Sequence, residues 1–292
     1  MKGGTQPRGY TIVEVMIFLA ISSLMFIVAA AAISGKQAIV EFKQGMSDIN
    51  TQIRTVVNEV ANGQFPSSAN FKCSVSGGSP PVLVAGSTSQ GTNGGTTTGG
   101  TSGCVFLGKI MQFGTSGPTA YDTYTVVGRQ IDNATGNAVT AFAQAQPIVA
   151  QTAAVNLTTP GTLHNGLALK SALECNIDAA GLSTGCAPIG ALGFFGSFGS
   201  PNATVPGDLQ SGAQSVVTIA FQSVPTTVSS LNNELLIIDN PPLNAKRYVG
   251  LGKDVVLCFV NGSQKGSVTI GGSNGQQFST SIATGAGVPA AC

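Results

Sequence analysis

The chain has 292 residues, enough for one or two domains. Only 9% of them are Asp, Glu, Lys or Arg, against a usual share of about 25%, and the formal net charge is +1. This charge balance gives no case for nucleic-acid binding, and together with 39 glycines it favours a secreted β-rich domain over a cytosolic enzyme.

A short polar leader, residues 1–9, precedes a long apolar segment, and its basic residues are Lys2 and Arg8. The apolar residues 15–33 carry no charge, and a helix of that length spans about 28 Å, close to a hydrocarbon core of about 30 Å. Basic residues hold their end of such a segment in the cytoplasm. We therefore expect a single-pass helix in the inner membrane, in contact with lipid, with the rest of the chain outside the cytoplasm.

An amphipathic pattern continues the helix beyond the membrane, over about residues 36–62. Apolar side chains recur there at alternating steps of three and four, which forms one stripe on a helix. The stripe consists of Ile39, Phe42, Met46, Ile49, Ile53, Val56 and Val60. No proline interrupts the pattern, and Asn62-Gly63 supplies a stop signal. We predict one helix over residues 10–64, whose second half packs along other helices and along its own head domain.

Two plainer interpretations of this segment remain open. It has the features of a secretory signal peptide, with an A-x-A-like cleavage site at residues 29–32, although its apolar part exceeds the usual core of about 7–15 residues. It also has the features of a simple single-pass anchor.

One acidic residue, Glu14, stands inside the apolar run 8–33. A charged side chain near the centre of a bilayer costs about 2.5–3.5 kcal/mol on insertion scales, and less toward the end of the helix. Because the chain retains this costly charge, we expect Glu14 to have a partner.

The sequence Arg8-Gly9-Tyr10-Thr11-Ile12-Val13-Glu14, followed by an apolar helix, resembles the N-terminus of the type IV pilin and type II secretion pseudopilin superfamily. The resemblance covers about residues 1–65. It implies that a prepilin peptidase cleaves after Gly9 and methylates the new amino terminus of Tyr10. It further implies assembly with other pilin or pseudopilin subunits on an inner-membrane platform, and it assigns Glu14 to that assembly.

Cleavage after Gly9 would give Tyr10 a cationic amino terminus, and N-methylation preserves its charge. In a filament, the Glu14 carboxylate of one subunit would meet the terminal amine of the next. Two charges about 4 Å apart attract by roughly 4 kcal/mol at an effective dielectric constant of 20. We expect this pair to fix the axial offset of each subunit. The alternative is that Glu14 is neutralised within its own chain.

The head, residues 66–292, is expected to fold as short β-strands joined by turns. Residues 74–103 are rich in Gly, Ser and Thr and predict a mobile surface loop. Strands are predicted at 104–107, 121–131, 147–157, 215–224, 235–238, 253–260, 266–270 and 277–282, with a hairpin turn at 273–275. A short helix is predicted over 162–175. The resulting fold class is α+β, with a long N-terminal helix packed on an antiparallel sheet.

Six cysteines downstream of an export segment predict disulfides formed in an oxidising compartment. Sequence alone does not determine their connectivity, and we favour pairing of neighbours. The predicted pairs are Cys73–Cys104, Cys175–Cys186 and Cys258–Cys292, and buried free thiols are the alternative. The closing segment 251–292 also resembles the last strands of minor, H-type pseudopilins.

No cluster of residues predicts catalysis, a cofactor or a metal ion. Residues 271–275 match G-x-S-x-G, but the hydrolase interpretation requires a strand–Ser–helix context and a later histidine, whereas His164, the one histidine, lies upstream. Asp239 and Asp254 lack the spacing of a calcium site, and no Cys-x-x-Cys pair suggests zinc.

Three functions follow from these observations. The first is a non-enzymatic structural subunit that is polymerised into a type IV pilus or a secretion pseudopilus. The second is a minor, adhesin-type subunit whose head binds a ligand. The third is a membrane-tethered or secreted enzyme.

Overall fold

The structure is a computed structural model. It describes residues 9–63, 71–74, 81–85, 100–101, 104–129, 131, 136–137, 139, 142–152, 155–178, 183–196, 216–222, 227–236, 253–271 and 278–292. The described helices are α1 (Ile12–Ala61), α2 (Phe142–Ala145) and α3 (Val228–Leu236).

The strands are antiparallel to their neighbours throughout. They are β1 (Phe71–Ser74), β2 (Val82–Ala85), β3 (Gly100–Thr101), β4 (Cys104–Gly114), β5 (Gly117–Arg129), β6 (Ile148–Val149), β7 (Thr158–Thr162), β8 (Ala168–Ile177), β9 (Ser183–Pro188), β10 (Ala191–Gly196), β11 (Val216–Phe221), β12 (Lys253–Asn261), β13 (Gln264–Ile270) and β14 (Thr280–Thr284). With one long helix and antiparallel sheets, the fold class is α+β.

Helix α1 is 50 residues long, about 75 Å at 1.5 Å per residue. Asn62 closes it, because the Asn62 N–H donates to the Asn58 carbonyl at 3.0 Å. Gly63 follows with a φ of +60°, a left-handed conformation that glycine adopts without steric cost. The stop signal at Asn62-Gly63 therefore acts as its sequence predicts.

The two halves of α1 differ in burial. No residue of the segment Ile12–Ala30 is buried within the chain. From residue 42 onward, six apolar side chains of the predicted stripe lie in the main core, namely Phe42, Met46, Ile49, Ile53, Val56 and Val60. Val57 is also buried there, which widens the covered face beyond one stripe. Ile39, the first residue of the stripe, does not lie in this core: it is 46% exposed, because the head first covers α1 at Phe42.

The head contains two larger sheets, both of which contact α1. One has seven strands in the order β11-β10-β4-β5-β6, with β3 paired to β4 and β7 paired to β5, and the other has the order β14-β13-β12-β8-β9. Helix α1 packs on β4, β10 and β11 of the first sheet and on β13 and β14 of the second. Gly266 on β13 permits this approach, since a Cβ there would lie 2.9 Å from Cζ of Phe42.

The seven-stranded sheet is buried on both faces. On β10, Leu192 and Phe194 face the core that contains α1, whereas Ala191 and Phe195 belong to a second core formed with α2 and α3. This alternation is the two-residue period of a strand. The architecture is therefore three layers at this point: α1, the sheet, and the two short helices.

Two disulfides of the predicted set are present. Cys175–Cys186 joins β8 to β9, and Cys258–Cys292 joins β12 to residue 292. Both lie in a small apolar cluster on the five-stranded sheet, with Val256 at its centre. Cys104 is also disulfide-bonded. The side chain of Cys73, its predicted partner, lies outside the described residues.

Several element predictions are corrected by the structure. Residues 162–175, expected as a helix, form the end of β7, a turn at Asn165-Gly166 with positive φ at both positions, and most of β8. Leu235 lies in α3 rather than in a strand, and within 147–157 the strand β6 covers two residues. The predicted loop 74–103 contains β2, which pairs with β1. The predicted turn 273–275 lies outside the described residues.

Candidate functional site

The predicted cleavage site lies in exposed, non-helical backbone immediately before α1. Tyr10 is 86% exposed, and a Cβ added at Gly9 would meet no heavy atom within 4 Å. Neither residue belongs to a helix or strand. The Gly9–Tyr10 bond is therefore sterically accessible to an enzyme that requires an extended segment.

Thr11 and Glu14 form a reciprocal cap at the start of α1. Thr11 has extended backbone (φ −76°, ψ 150°), and its Oγ1 accepts a hydrogen bond from the Glu14 backbone N–H at 3.3 Å. In return, the Thr11 backbone N–H and hydroxyl both donate to Oε2 of Glu14 at 3.1 Å. The sequence Thr-x-x-Glu is the signature of such a capping box, and it could have been recognised in the sequence.

This cap explains how the chain tolerates a carboxylate at the edge of an apolar segment. Glu14 lies in the first turn of α1, where the positive end of the helix dipole stabilises a negative charge. Both hydrogen bonds from Thr11 go to Oε2, and a carboxylate offers about four acceptor positions. Oε1 therefore retains acceptor capacity for a further donor, so the cap and a partner cation are compatible.

The apolar segment follows directly after the cap. Among the described residues, one helix is long and apolar enough to cross a membrane, over Ile12–Ala30, with a mean hydropathy of 2.6. Its large side chains are exposed, for example Phe18 at 70% and Phe26 at 76%. A membrane anchor and a signal sequence both have this property, and the hydrophobic effect drives either into an apolar environment.

The residues considered for catalysis or metal binding do not form a common site among the described residues. His164 is exposed in the loop before β8, whereas Asp254 lies on β12 opposite Cys175, near the other end of β8. Asp239 and Ser273 lie outside the described residues. In the part of the chain that the structure describes, no group of three or more His, Cys, Asp or Glu side chains is placed to hold a metal ion.

Asp254 is nevertheless electrostatically unusual. Its Oδ1 is buried beside Gly271, has no hydrogen-bond partner among the described residues, and would lie 2.2 Å from a Cβ at that glycine. Burial without a partner disfavours the charged form and raises the pKa of the Asp254 carboxyl above its usual 3.8.

This raised pKa predicts a pH-dependent stability. Because the folded protein binds the Asp254 proton more tightly than the unfolded chain, the free energy of unfolding falls as pH rises from the unfolded pKa through the folded pKa. We expect Asp254→Asn to raise the melting temperature at pH 7 and to leave it unchanged at pH 3, where both states of the wild type are protonated. Thermal melts at the two pH values test this, and equal effects at both would contradict it.

Comparisons with protein-family models, with curated proteins and with solved structures find no match to this chain.

Proposed function

We propose that this chain is a prepilin or pseudopilin, a structural subunit that a prepilin peptidase cleaves after Gly9 and that then polymerises into a type IV pilus or a secretion pseudopilus. The observation that carries the proposal is one continuous helix with two different halves. An exposed Gly9–Tyr10 bond and a capped Glu14 precede a bare apolar half, and the other half is buried in the head.

The bare half of α1 fits a subunit that moves from lipid into a filament. Its apolar surface needs an apolar environment at every stage, and neighbouring helices in a polymer provide one as lipid is left behind. Non-directional packing of this kind gives adhesion but does not select one axial position. The Glu14 carboxylate supplies that selection by pairing with the Tyr10 amine of an adjacent subunit.

Residues 10 to 14 have the geometry that such a pair requires. Tyr10 lies one residue before the Thr11 cap and is almost fully exposed, so its new terminal amine would project from the helix end toward solvent or a neighbour. Glu14 is held in the first turn by Thr11 with Oε1 still able to accept. An anion fixed by two hydrogen bonds loses little further conformational entropy when it binds a cation.

Gly9→Val tests the processing step. We expect the variant to accumulate at full length in the membrane, because the β-branched side chain obstructs a peptidase active site that accepts glycine. The mature wild-type chain, in contrast, begins at methylated Tyr10. Intact-mass measurement of membrane fractions distinguishes the two. A Cβ at Gly9 would meet no heavy atom of the described residues within 4 Å, so the substitution is not expected to disturb the described fold.

Gly4→Val, in the same leader, is the matched control and should be processed normally. Unchanged cleavage of Gly9→Val would contradict the proposal. A wild-type mature terminus near Ile33 would support a secreted protein, and an uncut Met1 would support a plain anchor.

A second function, a minor subunit whose head binds a ligand, is favoured by one feature of the head. A polar cleft of about 360 Å³ opens between α1 and β7. Its chemistry is independent of the N-terminal processing site and is argued below.

A further inference from the structure

A cleft of about 360 Å³ separates the second half of α1 from the edge strand β7. Gln52, Thr55 and Glu59 line it from the helix, at the three- and four-residue spacing of one helix face. Thr159 and Thr162 line it from β7. The volume lies in the range of small-ligand pockets, about 300–1,000 Å³.

The charges in this cleft compensate each other. The Nζ of Lys109, on β4, forms an ion pair with the Glu59 carboxylate. The Lys109 side chain is 12% exposed and that of Glu59 is 35% exposed, so the cation is largely covered by its partner. A charged ligand gains little from this pair, because each charge is already neutralised by the other. A neutral ligand can donate a hydrogen bond to the exposed edge of the Glu59 carboxylate, which is a strong acceptor.

Polar side chains around this pair have unused hydrogen-bonding capacity. Within the described residues, the side chains of Gln52, Thr123, Thr162 and His164 make no hydrogen bond to another protein group. Thr55 donates its hydroxyl hydrogen to the Thr51 carbonyl at 2.9 Å and keeps its lone pairs as acceptors. The cleft thus offers donors and acceptors at short intervals on both walls, which matches a ligand with several adjacent hydroxyl groups.

Tyr121 forms part of the lining and is held by packing. Its ring centroid lies 5.7 Å from that of Phe113, and a Cβ at Gly161 would lie 2.2 Å from Cζ of Tyr121. Glycine at position 161 is therefore required for the phenol to lie against β7. Tyr121 is 7% exposed, so it forms a rigid part of the wall and offers little aromatic surface to a ligand. The hydroxyl groups of the lining are therefore the groups that suit a sugar.

The outer edge of β7 does not suit a peptide that would bind as an added strand. The Thr158 N–H already donates to Oδ1 of Asn156 at 3.0 Å, and Pro160 has no N–H. Residues 158 and 160 point their backbone groups to the same side of the strand, so this edge lacks successive donors for strand addition.

We infer that this cleft binds a neutral saccharide of one or two rings. The ligand hydroxyls hydrogen-bond Gln52 on the helix side and the threonines of β7 on the other side. The inference concerns the folded head and is independent of cleavage after Gly9, so it stands or fails separately from the proposed filament function.

Binding is tested with the full chain in a detergent that has no sugar headgroup. The probes are maltose, cellobiose, lactose and N,N′-diacetylchitobiose, with glucuronate and glucosamine as charged counterparts, titrated by calorimetry or by ligand-observed NMR. We expect saturable binding of at least one neutral disaccharide with a dissociation constant below about 10 mM, or about −3 kcal/mol, and weaker binding of both charged sugars.

Variants on the two walls locate the site. Thr159→Val with Thr162→Val removes two exposed hydroxyls without changing side-chain volume, and Gln52→Leu removes an amide from the helix wall. Each variant should weaken binding about tenfold, because hydrogen bonds to the ligand are lost. Thr184→Val, an exposed threonine on β9, should bind like the wild type.

Three results would overturn the inference. They are the absence of binding by all four disaccharides, binding of a charged sugar as tight as that of the best neutral one, and wild-type affinity in both wall variants. Circular dichroism of each variant verifies that the head is folded, so that a loss of affinity is assigned to the cleft.

Discussion

Glu14→Gln is expected to be cleaved after Gly9 and to reach the membrane, but to assemble poorly. An ion pair at about 4 Å is worth roughly 4 kcal/mol at an effective dielectric constant of 20. Because every 1.4 kcal/mol is a factor of ten, its loss lowers subunit association by about three orders of magnitude. The measurement is the amount of sheared filament relative to membrane-retained mature subunit, determined by immunoblot and intact mass.

Glutamine is the informative substitution because it separates the charge from the cap. A glutamine at the third helical position can still accept from the Thr11 N–H, so Glu14→Gln preserves the capping box and removes the negative charge. Glu14→Ala removes both. We expect both variants to fail in assembly to a similar extent, since the charge is the shared loss.

Thr11→Ala is the complementary control. It removes the side chain that caps α1, at a typical cost of about 1 kcal/mol to the helix, and leaves the carboxylate charged. We expect near-normal filament yield from it. Normal filaments from Glu14→Gln would contradict the intersubunit ion pair, and they would leave the cap within its own chain as the role of Glu14.

The parts of the fold that local patterns encode were predictable from the sequence. Helix α1 has an apolar period, no internal proline and a glycine stop, and all three signals act within a few residues. The strands β5, β12 and β13 combine β-branched side chains with nearby turn residues, and the structure places them close to the predicted ranges 121–131, 253–260 and 266–270.

The parts that depend on distant pairing were not predictable. Most of β8 was expected within a helix over 162–175, yet it forms a strand by pairing with β12, where Leu173 lies opposite Val256. β9 and β10 contain Gly and Pro, residues that are depleted in strands, and pairing with neighbouring strands overrides this preference.

The candidate sites divide in the same way. Gly9, Tyr10 and Glu14 are close in sequence, and so is Thr11, which forms the cap with Glu14. The cleft cannot be read from the sequence, because it brings Gln52 and Glu59 of α1 against Lys109 of β4 and Thr159 of β7. Only the packing of α1 across the sheet brings these residues together.

A buried ion pair within the five-stranded sheet leads to the largest expected effect on stability. Glu174 on β8 is 4% exposed, and its Oε1 accepts from Nζ of Lys253 at 2.8 Å. Its Oε2 accepts from Nε2 of Gln222 at 3.1 Å, and Gln222 follows β11 of the other sheet. The carboxylate thus links two strands of one sheet to the end of a strand in the other.

Glu174→Leu is expected to lower the free energy of unfolding of the head by about 3–5 kcal/mol, because it breaks a buried ion pair and removes the carboxylate that accepts from both Lys253 and Gln222. Glu174→Leu with Lys253→Met should cost clearly less than the sum of the two single changes, since the pair is then replaced by apolar volume. Urea unfolding followed by circular dichroism measures these changes in stability in a chain that has no Trp.

Glu41→Gln, on the exposed face of α1, is the matched control and should change the free energy of unfolding by less than about 0.5 kcal/mol. A cost below about 1 kcal/mol for Glu174→Leu would instead identify a solvated ion pair of the surface type and would contradict this prediction.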